Sequence, residues 1–234
     1  MHGVSARNPK CIHNVDEAVS FIKKVGFLPL FKNEIDGFSL EERTVAGDWW
    51  CGDVKKDPWA WRMVIAGRRE IIYGKFFEKK AGFISKEWIP VFANYRRNGY
   101  DFDALYEDGK APVKHKKIME HFMEDNIDSE IMSNELRTMA GFGKDGEHGY
   151  EGAIASLMMQ MYLCNCDFRR RINKKGEEYG WDVAVYSSVE HIYGYDYVTS
   201  EYKLDPKESM LKIKRNISGH FVEATEKNIN KIIK

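Results

Sequence analysis

The sequence predicts a mostly α protein with short β-hairpins, an α+β fold in two lobes whose C-terminal lobe is a winged helix-turn-helix. Three observations carry this. Apolar residues recur at helical spacing behind good capping residues; the β-branched and aromatic runs are short and bounded by glycine; and the second half sets three helical segments before a pair of strands. With 234 residues, 43% of them hydrophobic and 13% aromatic, the chain can bury one large core or two small ones.

In chain order, Asn14-Val15-Asp16-Glu17 sets a capping Asn three residues before Glu, the capping-box pattern, and Val15, Val19, Ile22 and Val25 keep helical spacing until Gly26. "FLPLF" follows as an irregular apolar segment. Ser39 caps a short helix at Leu40-Glu41-Glu42. Asp57 caps the next helix, because Pro58 in its first turn forfeits only an N–H that has no partner there. Trp59, Arg62, Met63 and Ala66 line one side of it, and Gly67 ends it. "EIIYGKFF" is a strand in which Gly74 marks a bulge or a close approach. Ser85 opens a helix through "IPVFANYRRNG", and "YDFDALYEDG" holds a shorter one. The Gly-Lys-Ala-Pro stretch places the lobe boundary near residues 111–113, giving lobes 1–112 and 113–234.

The second lobe begins with the helix "VKHKKIMEHFMEDN". The turn "IDSEIMS" leads to a second helix, "SNELRTMAG", capped by Ser133, and the Gly-rich "GFGKDGEHG" to a third, "YEGAIASLMMQMYL". Strands "CNCDFRRRI" and "WDVAVYS" then flank the loose turn "NKKGEEYG", with further helices toward the C-terminus. Three helices followed by a β-hairpin is the winged-helix order, in which the third helix enters a DNA groove and the hairpin follows the backbone.

Charge narrows the function classes. The chain has 36 basic and 36 acidic residues, so it is no generic polyanion binder. Residues 1–112 hold 18 basic and 16 acidic residues, leaving 18 and 20 for the rest, so any basic surface is local. The N-terminus has no apolar signal core and no apolar run is long enough to span a bilayer; the expected location is the cytoplasm, with no membrane partner. Cys11, Cys51, Cys164 and Cys166 lack zinc-ligand spacing and read as reduced thiols, so no metal and no cofactor is expected. His115, His121 and His191 suggest no triad, and "GFGKDGEHG" lacks the Lys-Ser/Thr of a phosphate-binding loop.

The local basic surface is the hairpin. Arg169, Arg170, Arg171, Lys174 and Lys175 place five positive charges within seven residues, where they either contact phosphates or keep a solvated edge from aggregating. Arg96 and Arg97 are further phosphate candidates. The third helix offers Glu151, Ser156 and Gln160 and has Glu147 ahead of it, a poor set for reading base edges. The expected partner is therefore duplex DNA bound without strong sequence preference, and no oligomeric state is implied. Trp49, Trp50, Trp59, Trp61 and Tyr73 are either aromatic core or the wall of a pocket for a flat ligand. Trp59 and Trp61 point about 200° apart on a helix, so they cannot share one face.

The segments "FSLEERT", "WWCGDVKKDPWAWR", "YGKFFEKKAGFISKEWIPVFANYRRNGYDFDALYEDG" and "YEGAIASLMMQMYLCNCDFRRRINKKGEEYGWDVAVYS" resemble the AlkZ-related proteins, relatives of the AlkZ/YcaQ-type winged-helix DNA glycosylases, over most of residues 14–190. The resemblance implies a DNA-associated protein; a flipped base would suit an aromatic pocket at the tryptophans, and cleaving its glycosidic bond would need a water-activating base. In the glycosylases a Gln-x-Gln or Gln-x-Asp motif near the N-terminus does the chemistry. This chain has one glutamine, Gln160, in the C-terminal half. The carboxylates left for the task are Glu41, Glu42 and Asp53, while Asp57 is expected to cap its helix. The sequence thus reads as a DNA-associated glycosylase relative whose base excision is weak or lost. The alternatives are a non-catalytic protein-interaction module and a small-molecule enzyme using the Trp-rich pocket.

Overall fold

The computed structural model describes residues 3–123 and 130–234. Residues 124–129, where the expected first helix of the second half ends and the turn "IDSEIMS" begins, lie outside the described residues. Helix α1 (Val15–Val25) starts at the expected capping box: Asn14 accepts the Glu17 N–H at 2.9 Å and Glu17 accepts the His13 N–H at 2.8 Å. The chain then enters β1 (Phe27–Pro29), so "FLPLF" is partly sheet rather than irregular. Helix α2 (Pro58–Arg68) begins at Asp57, whose side chain accepts the Trp59 N–H. It runs one residue past Gly67 and closes on Arg69 in the left-handed conformation.

Strands β2 (Ile71–Phe77) and β3 (Lys80–Ser85) form a hairpin, followed by α3 (Ile89–Arg97), α4 (Phe102–Glu107) and α5 (Val113–Met119). Gly74 and Gly82 face each other across this hairpin. A Cβ at Gly82 would lie 2.4 Å from the Phe77 ring, so glycine there permits the close approach expected near the bulge. Next come β4 (Ile131–Met132), α6 (Ser133–Met139), α7 (Tyr150–Met159), β5 (Leu163–Ile172) and β6 (Glu178–Ser188). The cap position of α6 is Met132, and the Ser133 hydroxyl does not cap it. Short α8 (Val189–Tyr193) and α9 (Tyr195–Val198) lead to α10 (Pro206–His220) and α11 (Glu226–Ile233).

The fold is α+β. Its six strands form one antiparallel sheet in the order β1-β3-β2-β5-β6-β4. Strands from both sides of residue 112 therefore share a sheet, joined where Tyr73 pairs with Asn165. Beneath it, Phe27, Phe38, Phe77 and Phe92 meet at centroid distances of 4.9–6.4 Å, and Phe221, following α10, closes on Phe38 at 4.7 Å. One buried apolar cluster runs from Ile12 to Ile233. Among the described residues no helix is long and apolar enough to cross a membrane.

Candidate nucleic-acid interface

Beyond the Asp167–Val185 pair, β5 and β6 extend as a two-stranded arm, whose tip is the expected hairpin. Its turn is at Asn173–Gly176, where Asn173 Oδ1 accepts the N–H groups of Lys175 (2.8 Å) and Glu177 (3.0 Å). Gly180 belongs to the strand: its φ of 77° lies in a register break between Arg169–Val183 and Arg171–Tyr179, a bulge that only glycine enters without strain. Trp181 follows it and is 89% exposed.

Between this arm and α6 lies a groove of about 520 Å³, lined by Met132, Asn134 and Glu135 on one side and by Phe168–Ile172, Glu178, Tyr179 and Asp182 on the other. The expected cations differ in what they do there. Arg169 pairs with Glu130 at 2.5 Å and Asp167 at 2.9 Å, and these partners outweigh its partial burial to push its pKa up. Arg170 lies 3.6 Å from Asp182. Arg171 stacks over Tyr179 at 5.3 Å. Arg171, Lys174 and Lys175 are exposed and make no ion pair among the described residues.

Arg96 and Arg97 are not on this surface, which corrects the expectation of phosphate contacts there. The Arg97 side chain is fully buried, paired with Glu190 and donating to the carbonyls of Gln160 and Met161. Arg96 donates to the Phe76 carbonyl at 2.5 Å, lies over the Phe92 ring, and is pushed by burial to a pKa of about 9. Both anchor α3 to the sheet and α7.

The tryptophans divide. Trp61 (1% exposed), Trp49 (4%) and Tyr73 (5%) are core and form no pocket wall. Trp49 donates to Thr44 Oγ1 at 2.9 Å, and burial, only partly offset by Arg62, pushes Tyr73 up to about 12. Trp50 and Trp59 remain near the surface, 6.2 Å apart between centroids. Trp50 is 55% exposed and sits at φ 58°, rare for a large side chain. The buried Asp57 carboxylate holds it there, accepting the Trp50 N–H at 3.0 Å and the Gly52 N–H at 3.1 Å besides the helix cap. Arg62, unnoticed as a partner in the sequence, lies between Trp59 (3.6 Å) and Phe168 of β5 (4.9 Å), so the tryptophan segment abuts the groove's own aromatic wall.

The candidate carboxylates lie elsewhere. Glu41 is buried and accepts the Lys32 N–H at 2.9 Å. Glu42 accepts from Ser39 Oγ (2.6 Å) and the Gly37 N–H (3.1 Å), so Ser39 does brace this turn. Asp53 accepts the Lys55 N–H at 3.1 Å in an exposed turn. None of the three lines the groove. Helix α7, which the winged-helix order would place in a DNA groove, is largely buried and leaves Glu151 and Gly152 as its exposed residues. Cys164 and Cys166 are buried thiols donating to Ser187 and Val185 carbonyls, and burial pushes both pKa values up, Cys166 to about 12. Among the described residues no group of three or more His, Cys, Asp or Glu is placed to hold a metal ion.

Fold and surface together define an α+β protein on one antiparallel sheet, with an arginine-lined groove where its hairpin leaves the core. The chain belongs to the AlkZ-related family, whose model matches residues 12–234. Neither a curated protein nor a solved structure matches it.

Proposed function

We propose that this AlkZ-related chain is a cytoplasmic, DNA-associated protein that grips duplex DNA through the β5–β6 hairpin as a winged helix does, without strong sequence preference. The observation that carries the reading is the hairpin, where Arg171, Lys174 and Lys175 stand exposed and, among the described residues, make no ion pair. The order α5-β4-α6-α7-β5-β6, with β4 pairing β6, supports a winged-helix unit in residues 113–234 beside a Trp-rich unit in residues 1–112. The burial of α7 supports recognition of backbone and shape over base edges.

Base excision is weak or lost in this reading. There is no N-terminal Gln-x-Gln or Gln-x-Asp pair, and the carboxylates are engaged by nearby backbone, Glu41 by the Lys32 N–H, Glu42 by the Gly37 N–H and Asp53 by the Lys55 N–H. A second reading, a protein-interaction module, draws support from Trp181 (89% exposed) and Ile172 (67% exposed) on the same hairpin. A small-molecule enzyme has less behind it, since three of the five pocket candidates are core.

The test is binding to two duplexes of unrelated sequence, with base release measured on alkylated duplex. Affinities for the two duplexes within about tenfold, with slow or no release, are expected, against the factor of 10³ or more that separates specific from non-specific sites. Discrimination near 10³, or rapid release abolished by Glu41→Gln, Glu42→Gln or Asp53→Asn, contradicts it.

A further inference from the structure

The groove between α6 and the hairpin has the chemistry of a nucleotide site. Its volume of about 520 Å³ falls in the range of small-ligand pockets, roughly 300–1,000 Å³, and admits one nucleotide but no duplex. Phe168 and Tyr179 supply flat apolar surface, and Arg171, whose guanidinium lies over the Tyr179 ring, supplies a cation beside it. Aromatic rings interleaved with arginine are the means by which unpaired bases are held, since every base has a face to stack and every nucleotide a phosphate. Asn134 brings an amide with both donor and acceptor, and Glu135 and Asp182 bring acceptors. Those carboxylates repel a phosphate but suit an exocyclic amino group. Outside the groove, on the bulge at Gly180, stands Trp181, a large ring with almost no cover.

We propose that this groove receives a single unpaired, amino-bearing nucleotide of the bound DNA: phosphate on Arg171, base against Tyr179 and Phe168, base edge toward Asn134, and Trp181 wedged at the gap in the stack. The proposal rests on the DNA-binding reading and moves the base-receiving site from the tryptophan segment to the hairpin. A nucleotide already outside the helix is the favoured occupant, because extruding a paired one costs a few kcal/mol.

The experiment is a titration of the full chain with a fully paired duplex and with the same duplex carrying one extrahelical adenosine. The parent is expected to bind the bulged duplex more tightly by about 5- to 150-fold, the fold-change of one stacked base at about 1–3 kcal/mol. Tyr179→Ala, at a half-exposed position that the core does not use, is expected to remove this preference, lowering affinity for the bulged duplex more than for the paired one. Asn134→Ala is expected to reduce the preference, and Lys174→Ala to weaken both duplexes equally. Equal binding of the two duplexes by the parent, with Lys174→Ala still weakening both, overturns this proposal and leaves the DNA-binding reading standing. No binding to either duplex overturns both. A preference that survives both Tyr179→Ala and Asn134→Ala overturns the assignment to this groove.

Discussion

Arg97 on α3 is paired with Glu190 on α8, and the arginine side chain has no exposed surface at all while the glutamate keeps about a quarter of its own. Burial alone would pull the Arg97 pKa down, but Glu190 and Tyr202 outweigh it and push it up. With Gln160 and Met161 accepting its other donors and the Tyr162 ring 4.3 Å below, one guanidinium ties α3 to the end of α7 and the start of α8.

Arg97→Ala leaves Glu190 and two carbonyls without their donor. It is expected to cost about 3–5 kcal/mol of stability, read from denaturant midpoints. Arg97→Met combined with Glu190→Leu should recover part of that loss, because an apolar pair of similar volume removes the unpaired carboxylate while the two carbonyls still lack a donor. A single variant as stable as the parent would show that the pair does not hold the elements together.

The sheet and the core run through both halves of the chain, so unfolding should be one cooperative step. Five of the six tryptophans precede residue 112, whereas both long strands of the hairpin follow it. Tryptophan fluorescence and far-ultraviolet circular dichroism are therefore expected to give coincident denaturation curves. Two separated transitions would mean that residues 1–112 and 113–234 fold independently.

What the sequence made legible was local. The capping box at Asn14 and the Asp57 cap before Pro58 are short-range hydrogen-bond patterns and appear where the residues announce them. Strand β3 and the β2–β3 turn were not legible, because Glu78 and Lys79 occupy left-handed conformations (φ 51° and 60°) that hairpins normally give to Asn or Gly. The hairpin arginines could be found from charge density alone, but Arg96-Arg97 looks the same in sequence and lies inside. Only the packing of α3 against the segment after α7 separates the two. Trp181 went unnoticed because its exposure comes from a bulge at Gly180, a register feature that no single strand reveals.

Burial also separates the tryptophans. Trp61→Ala empties a site that is 1% exposed and should cost about 3–5 kcal/mol. Trp50→Gly should change stability by at most about 1 kcal/mol, since glycine adopts the left-handed conformation freely. Denaturant midpoints for the two variants in the reverse order would place the core ring at Trp50.

Alkaline pH should destabilise the fold. Burial raises Tyr73 to about 12, and Tyr150 and Tyr162 further still, all from 10.0. Above pH 10 the unfolded chain releases these protons while the folded chain retains them, so stability is fully present below pH 10 and falls as pH rises through the folded values. Arg96 acts oppositely: burial holds its folded pKa at about 9, well below the usual arginine value, so above that pH the unfolded chain holds the extra proton and stability rises. Three tyrosines against one arginine give a net fall, seen as a lower denaturant midpoint at about pH 11 than at about pH 8. A midpoint that instead rises over this interval would mean that the three phenols ionise as freely in the folded protein as in the unfolded chain, leaving the Arg96 contribution alone.

The proposed grip of the hairpin on DNA is tested most directly by the salt dependence of duplex binding, compared between the parent and the Arg171→Ala, Lys174→Ala, Lys175→Ala triple variant. These side chains are exposed, so their loss leaves the core intact. The predicted result is weaker binding by the triple variant and a log–log salt slope shallower by about 0.9 for each phosphate contact removed. Affinity and slope identical to those of the parent would contradict a DNA-binding hairpin.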